Sequence, residues 1–190
     1  MSPISSTLAN ASAYGYRTFA AAAAGAYESI ASASGTGSSA TITFSSIPAT
    51  YASLQIRIMG RSTGAVDTSA ATVQYNATAM TKGHYLRGDG VSVIVGAVNV
   101  PFYVPGGNTS ANIMGVAIVD IHDYASTTRN KTGRSFGGWN GNNVYGTTER
   151  LQVASFFLDN TSAITSLSLV MSNGNWTNET VIALYGIKGA

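Results

Sequence analysis

The sequence predicts an all-β protein: an antiparallel β-sandwich, jelly-roll-like, with an extended N-terminal arm. From Ser39 onward apolar and polar residues alternate with a period of two, about eight such stretches recur, and turns rich in Gly, Asn and Ser separate them. A long amphipathic helix is not indicated anywhere in the 190 residues. We therefore expect an arm over residues 1–37 and one sandwich domain over residues 38–190.

The arm is dominated by Ala, Ser and Gly. A run of alanines favours helix, but Gly25 ends it after about two turns, which is too short for a stable isolated helix. Two interpretations stay open: a disordered leader, or an arm whose side chains dock on a partner. Because disordered leaders seldom carry several aromatic residues, we prefer the docking arm. Its candidate contact residues are Tyr14, Tyr16, Arg17, Phe19 and Tyr27.

The first half of the domain contains four predicted strands. Residues 39–44 and 53–60 alternate cleanly, and in the second of them Ile56 and Arg57 face opposite sides. The next two predicted strands are residues 71–76 and 91–100. Pro101 ends the last of these, because proline cannot continue a central strand.

The second half begins after a Pro-Gly-Gly-Asn turn at residues 105–108. Residues 112–123 follow as the most apolar strand, and their near-continuous apolar centre predicts burial on both faces. The remaining predicted strands are residues 151–159, 163–172 and 180–188. No internal repeat of fixed period is present, so a solenoid or a propeller is not expected.

The composition excludes several classes of function. Ten Lys and Arg stand against eight Asp and Glu, and the one basic cluster, Arg129, Lys131 and Arg134, is short, so we do not expect nucleic acid as a partner. The chain has no Cys, which excludes disulfides, thiol catalysis and a Cys-based zinc site. No apolar run reaches the length of a membrane span, so no membrane partner is expected.

The densest group of catalytic side chains is Asp120, His122 and Asp123. Asp120 and His122 would share one face of a strand, but a metal needs three or four converging ligands and the other histidine, His84, is distant in sequence. We interpret one of the two aspartates as an acceptor of backbone N–H groups at the strand end. Nucleophile-elbow and phosphate-loop motifs are missing as well, so we expect no enzyme, no metal and no cofactor.

The loop predicted at residues 136–149 is the main alternative site. It combines aromatic platforms with amide donors and acceptors, a mixture that suits sugar hydroxyls and rings. Gly and Asn are also what a tight β connection requires, and the tryptophan could instead fold into the core. The candidate residues for a glycan or inter-subunit contact are Trp139, Asn140, Asn142, Asn143 and Tyr145.

Three segments resemble those of small tailed-bacteriophage virion proteins. They are FSSIPATYASLQIRIMGRS (44–62), VDIHDYASTTRNKTGRSFGG (119–138) and NGNWTNETVIALYGIKGA (173–190), in the same order along the chain. The resemblance covers most of residues 28–190, with residues 63–112 matching loosely.

What the resemblance implies is a non-enzymatic virion component. Similar β-sandwich proteins on phage heads act as cement or decoration proteins, commonly as trimers. We therefore expect a homotrimer that is assembled in the host cytoplasm and bound to the major capsid protein on the capsid surface. The arm aromatics would then serve as anchors, and Arg17 would add a polar contact. The alternative is a tail-fibre or receptor-binding module that recognises a host glycan through residues 136–149. A third possibility is a free carbohydrate-binding or hydrolytic domain.

Overall fold

A computed structural model describes residues 25–80, 82–97, 100–141 and 150–189. Strands are the regular secondary structure of these residues, and no helix occurs among them. In chain order the strands are β1 (Tyr27–Ser34), β2 (Thr41–Phe44), β3 (Ser53–Gly60), β4 (Thr68–Tyr75), β5 (Thr78–Ala79), β6 (Lys82–Gly88), β7 (Val93–Ala97), β8 (Phe102–Pro105), β9 (Gly115–His122), β10 (Lys131–Trp139), β11 (Arg150–Leu158), β12 (Leu167–Met171) and β13 (Val181–Ile187).

The strands form two antiparallel sheets. The larger sheet has eight strands in the order β1-β13-β3-β9-β10-β11-β6-β7. The smaller one has five, in the order β2-β12-β4-β5 with β8 also paired to β4. The predicted antiparallel β-sandwich is confirmed, while the jelly-roll connectivity stays a prediction.

The core lies between the two sheets. Residues at alternate positions of β3, β9 and β13 face residues of β2, β4 and β12 across it. Its most deeply buried side chains include Leu54, Ile56, Val73, Phe102, Val119, Ile121, Leu167, Leu169, Trp176, Ile182 and Leu184. Trp176 closes one end of this core, where its indole Nε1 donates to the carbonyl of Leu169 over 3.3 Å.

Every predicted strand overlaps an observed one, and residues 53–60 coincide with β3. The prediction failed for β10, whose last four residues, 136–139, were assigned to a loop. The glycines of β10 caused this error, because glycine usually weakens a strand and is typical of turns. In the fold the Phe156 ring occupies the place that a side chain on Gly133 would need. The strands β1, β5, β6 and β8 were also missed.

The N-terminal boundary differs from the expectation as well. Residues 27–34 were assigned to the arm, but they form β1 and pair with β13 at the edge of the larger sheet. The edge is further fastened by an ion pair of 2.7 Å between Lys188 Nζ and Glu28 Oε2. The hydrogen bond and charge of the Lys188 ammonium lower the pKa of Glu28. Tyr27 therefore belongs to the sandwich rather than to an arm.

The expectation that β9 is buried on both faces is wrong. Val119 and Ile121 are fully buried against the core, but Val116 is 58% exposed and Ile118 is 42% exposed. An apolar outer face and a second buried face give the same sequence pattern, which explains the error.

The segments that carry the phage resemblance meet at one end of the sandwich. The Tyr124 hydroxyl donates to the Pro48 carbonyl over 2.5 Å and accepts the Tyr51 backbone N–H over 3.1 Å. The Tyr51 ring in turn packs on Gly186 of β13. These motif residues therefore hold three distant parts of the chain together.

Two buried tyrosines make a matched test of this packing. The Tyr75 hydroxyl is buried without a hydrogen-bond partner among the described residues, whereas the Tyr124 hydroxyl has two. We expect Tyr75→Phe to leave the free energy of unfolding unchanged or raise it by up to about 1 kcal/mol, because it removes an unpaired buried polar atom. Tyr124→Phe should lower it by about 1–3 kcal/mol. Urea unfolding of both variants measures the difference, and equal losses would contradict this account.

Candidate interaction surface

The outer face of the larger sheet carries a set of exposed apolar side chains. Each of them leaves 42% to 73% of its surface exposed. We call this set the apolar band: Met59, Leu86, Val93, Val95, Val116, Ile118, Phe136, Leu151, Val153 and Val181. Such a concentration on one face of a single sheet is unusual for the solvent-exposed side of a sandwich.

Strand register places these residues side by side. One row runs Ile118, Phe136, Val153, Leu86 and Val95, each directly opposite the next on the neighbouring strand. Directly opposed residues of antiparallel strands point to the same face and lie close enough for their side chains to touch. The row therefore forms a continuous apolar strip across β9, β10, β11, β6 and β7.

A second row runs beside the first and is interrupted by glycines. It passes from Val181 through Met59, Val116 and Leu151 to Val93, with Gly138 and Gly88 at the two intervening positions. Since glycine has no side chain, these positions leave a depression in the surface. A groove of about 910 Å³ opens here, with residues of both rows in its walls.

The rim of the groove is polar. Arg57, Asp89, Asn140 and Arg150 line its edge. Asp89 accepts the backbone N–H groups of Ser92 over 2.7 Å and Val91 over 3.1 Å, and these bonds lower the pKa of its carboxyl group. Asp89 thus fixes the β6–β7 turn at the rim.

A polar ladder borders the apolar band on the same face. Arg57 Nε donates to Gln55 Oε1 over 2.9 Å, and Gln55 Nε2 donates to Asp120 Oδ1 over 2.8 Å. Arg134 Nε completes the ladder with a 3.0 Å bond to Asp120 Oδ2. The Asp120 carboxylate is therefore compensated within the sheet.

The outer face of the smaller sheet is different in character. Its side chains are mainly hydroxyls and amides, at Thr41, Thr43, Thr72, Gln74 and Ser168. Thr43 and Ser168 are joined across β2 and β12 by a hydrogen bond of 2.8 Å. Only the larger sheet, within the described part of the chain, has a wide apolar outer face.

The candidate contact residues of the arm lie mostly outside the described part of the chain. Tyr14, Tyr16, Arg17 and Phe19 lie outside the described residues. Tyr27 is 47% exposed at the start of β1, and its ring centroid lies 5.1 Å from the guanidinium carbon of Arg57. It shares Arg57 with the Tyr185 ring, whose centroid is 4.8 Å away.

The predicted glycan loop is described only at its start. Trp139 ends β10 and is 8% exposed, so its ring offers no open stacking face to solvent. Asn140 is exposed beside the groove. Asn142, Asn143 and Tyr145 lie outside the described residues.

The two aspartates that were considered as metal ligands, Asp120 and Asp123, form ion pairs with arginine side chains. Besides the ladder at Asp120, Asp123 forms an ion pair of 2.5 Å with Arg129. The expected backbone N–H donors are thus replaced by side-chain donors. Among the described residues no group of three or more His, Asp or Glu is arranged to hold a metal ion.

The apolar band is what sequence reasoning missed. Eight of its ten residues were predicted as strand positions, whereas Phe136 was assigned to a loop and Leu86 to no strand. Nothing in the order of the residues separates an exposed apolar face from a buried one. A usable signal was that β9 has apolar residues at both even and odd positions, with Val116 and Ile118 on one face and Val119 and Ile121 on the other. Together with a chain in which 9% of residues are charged, this pattern fits a sheet that packs on both sides.

Fold and surface define an antiparallel β-sandwich with one polar and one apolar outer face. No protein-family model matches the chain, and no curated protein or solved structure does either. Within the described residues no helix is long and apolar enough to cross a membrane. The apolar band is therefore the feature that a functional proposal has to explain.

Proposed function

We propose that the protein is a non-enzymatic structural component of a bacteriophage virion, a capsid decoration or cement protein that self-associates as a trimer. The observation that carries this proposal is the apolar band. An exposed apolar face wider than a few hundred Å² is typical of a protein that works through contact with other proteins. The resemblance of the three quoted segments to phage virion proteins supports the virion as the setting.

The mechanism is stabilisation by linkage. A protein that binds the assembled shell better than its free subunits shifts the equilibrium toward the shell. In this proposal the arm aromatics Tyr14, Tyr16 and Phe19 contact the major capsid protein, and the sandwich contacts neighbouring copies. Tethering each chain at more than one point adds avidity without new contacts.

The alternative, a glycan-binding tail module, has less support. It needs an exposed aromatic ring, and Trp139 is buried. Asn140 is exposed at the rim of the groove, whereas Asn142, Asn143 and Tyr145 lie outside the described part of the chain. Neither of the two described candidate residues therefore offers an exposed ring to a sugar.

Copy number tests the proposal. We expect on the order of hundreds of copies per purified virion, in a fixed ratio to the major capsid protein, because decoration follows the symmetry of the shell. Quantitative mass spectrometry of intact particles measures this ratio. A count of roughly a few dozen or less would move the protein to the tail and contradict capsid decoration. Absence from the particle would contradict both readings.

A deletion of residues 2–24 tests the arm in the same particles. It stops short of β1, so the edge pairing with β13 is kept. We expect the shortened chain to keep its unfolding midpoint and to be lost from the virion. Undiminished incorporation would show that the arm is not the attachment.

A further inference from the structure

We propose that the apolar band is the surface through which copies of this chain contact one another. This inference rests on the self-association that the proposed function includes, and it assigns that contact to particular residues. The partner is a second copy of this chain, packed so that the apolar bands of neighbouring copies cover each other.

The exposed area is the first reason. The ten residues of the apolar band lie in two adjacent rows that together extend from β13 to β7, and each residue leaves 42% to 73% of its surface exposed. The band therefore offers an area on the order of 800 Å², which is what each partner contributes to a standard stable interface. The largest apolar patch of an ordinary monomer is about 300–600 Å².

The distribution of charge is the second reason. Asp120 beside the band is paired with Arg134 at 3.0 Å, and the Arg57 guanidinium is held by Gln55 and lies over the Tyr185 ring. A face that selects an oppositely charged partner would carry uncompensated charge of one sign. Here Arg134 neutralises Asp120, the positive charge of Arg57 lies at the edge of the band, and the centre of the band is apolar. The best complement of this centre is another apolar sheet face.

The geometry of the two outer faces is the third reason. Sheets pack face to face about 10 Å apart when both faces present interlocking apolar side chains. The smaller sheet presents Thr, Ser and Gln instead, so it cannot cover the band of a neighbour without burying hydroxyls. The face that matches one band is therefore the same band on another copy. In a trimer the three bands would turn toward the threefold axis, so that each band packs against the bands of both neighbours.

The test compares two substitutions to lysine on the same strand. Phe136 and Thr132 are both exposed on the outer face of β10, but Phe136 lies in the centre of the apolar band and Thr132 lies outside it. We expect Phe136→Lys to weaken self-association of the full chain by roughly 100-fold, because it buries an unpaired ammonium. Thr132→Lys adds the same charge and should leave association within about threefold of wild type.

Sedimentation equilibrium over a range of protein concentrations measures both effects. A second variant, Val153→Thr, keeps the β-branched shape and replaces one methyl by a hydroxyl, and it should also weaken association. It serves as the test if Phe136→Lys fails to fold. The inference is overturned if the wild-type chain is monomeric, if Phe136→Lys folds and assembles like wild type, or if Thr132→Lys dissociates equally. Where Phe136→Lys does not fold, wild-type assembly of Val153→Thr overturns it.

Virion copy number keeps this inference separate from the proposed function. A chain that self-associates through the band but is missing from particles would refute capsid decoration alone. A wild-type chain that is monomeric in solution yet abundant on particles would refute self-association, and with it the proposed surface, but would leave capsid decoration standing.

Discussion

Trp176→Ala is expected to lower the free energy of unfolding by about 3–5 kcal/mol, the largest effect of any single substitution that we predict. Trp176 is fully buried, and its removal leaves a cavity that the surrounding strands can fill only in part. A loss of this size takes a large part of the total stability of a domain, which is usually about 5–15 kcal/mol.

The position of Trp176 explains why the cavity cannot collapse easily. Its backbone N–H donates to Ser39 and its carbonyl accepts from Gly37, over 3.0 and 2.8 Å. The indole ring lies on Gly60, where an added Cβ would come within 2.8 Å of ring atom Cζ3. The backbone of Trp176 is therefore fixed to the segment before β2, and its ring joins the end of β3 to the carbonyl of Leu169 in β12.

Urea unfolding followed by far-UV circular dichroism measures this loss. The control is Val91→Ala, because Val91 is 73% exposed near the β6–β7 turn and its truncation should change the free energy by less than about 0.5 kcal/mol. Trp176→Phe should fall between the two, since it keeps an aromatic ring but loses the Nε1 donor. A Trp176→Ala protein as stable as Val91→Ala would contradict the assigned core.

Strict alternation is what made most of the fold predictable. β3 was predicted residue for residue because Leu54, Ile56 and Ile58 alternate with polar neighbours and a proline-containing loop precedes them. β10 was missed because its glycines look like turn residues. Their function becomes visible only once the chain is folded, when the Phe156 ring lies on Gly133. Sequence spacing carries no information on such long-range contacts.

The candidate surface was less predictable than the fold. Each residue of the apolar band has the side chain of an ordinary strand residue, and only the register of neighbouring strands shows that Phe136, Val153 and Leu86 lie in one row. A shift of one residue in the register of any of these strands would turn its outward-facing side chains toward the core. The conspicuous residue in the sequence, Trp139, is instead 8% exposed at the end of β10.

Lys131 is the second position where a large effect is expected. It is 1% exposed, and its Nζ donates to three backbone carbonyls: Ser126 over 2.5 Å, Arg129 over 2.8 Å and Thr161 over 3.0 Å. The three N–H groups of the ammonium are all used, which compensates for its removal from water. Burial lowers the pKa of Lys131. The side chain joins the turn before β10 to the segment after β11.

Lys131→Met should lower the free energy of unfolding by about 2–4 kcal/mol. Methionine can fill most of the space of the lysine stem but leaves three carbonyls without their charged donor, and each such loss costs about 1–3 kcal/mol before relaxation and water entry reduce the total. Hydrogen exchange should also speed up at residues 124–130 and 160–164, because the lost bonds hold these two segments together.

Lys82→Met is the matched control, since it removes the same charge at the first residue of another strand. The Lys82 side chain is 67% exposed, and its contact with Asp159 is a long ion pair of 3.8 Å. Exposed pairs of this kind contribute about 0–1 kcal/mol, so the control should unfold close to wild type. If the two methionine variants unfolded at the same urea concentration, the carbonyls around Lys131 would not depend on its ammonium. The turn before β10 would then be held by its own hydrogen bonds, in which Ser126 accepts the backbone N–H groups of Thr128 and Arg129 over 3.2 and 3.0 Å.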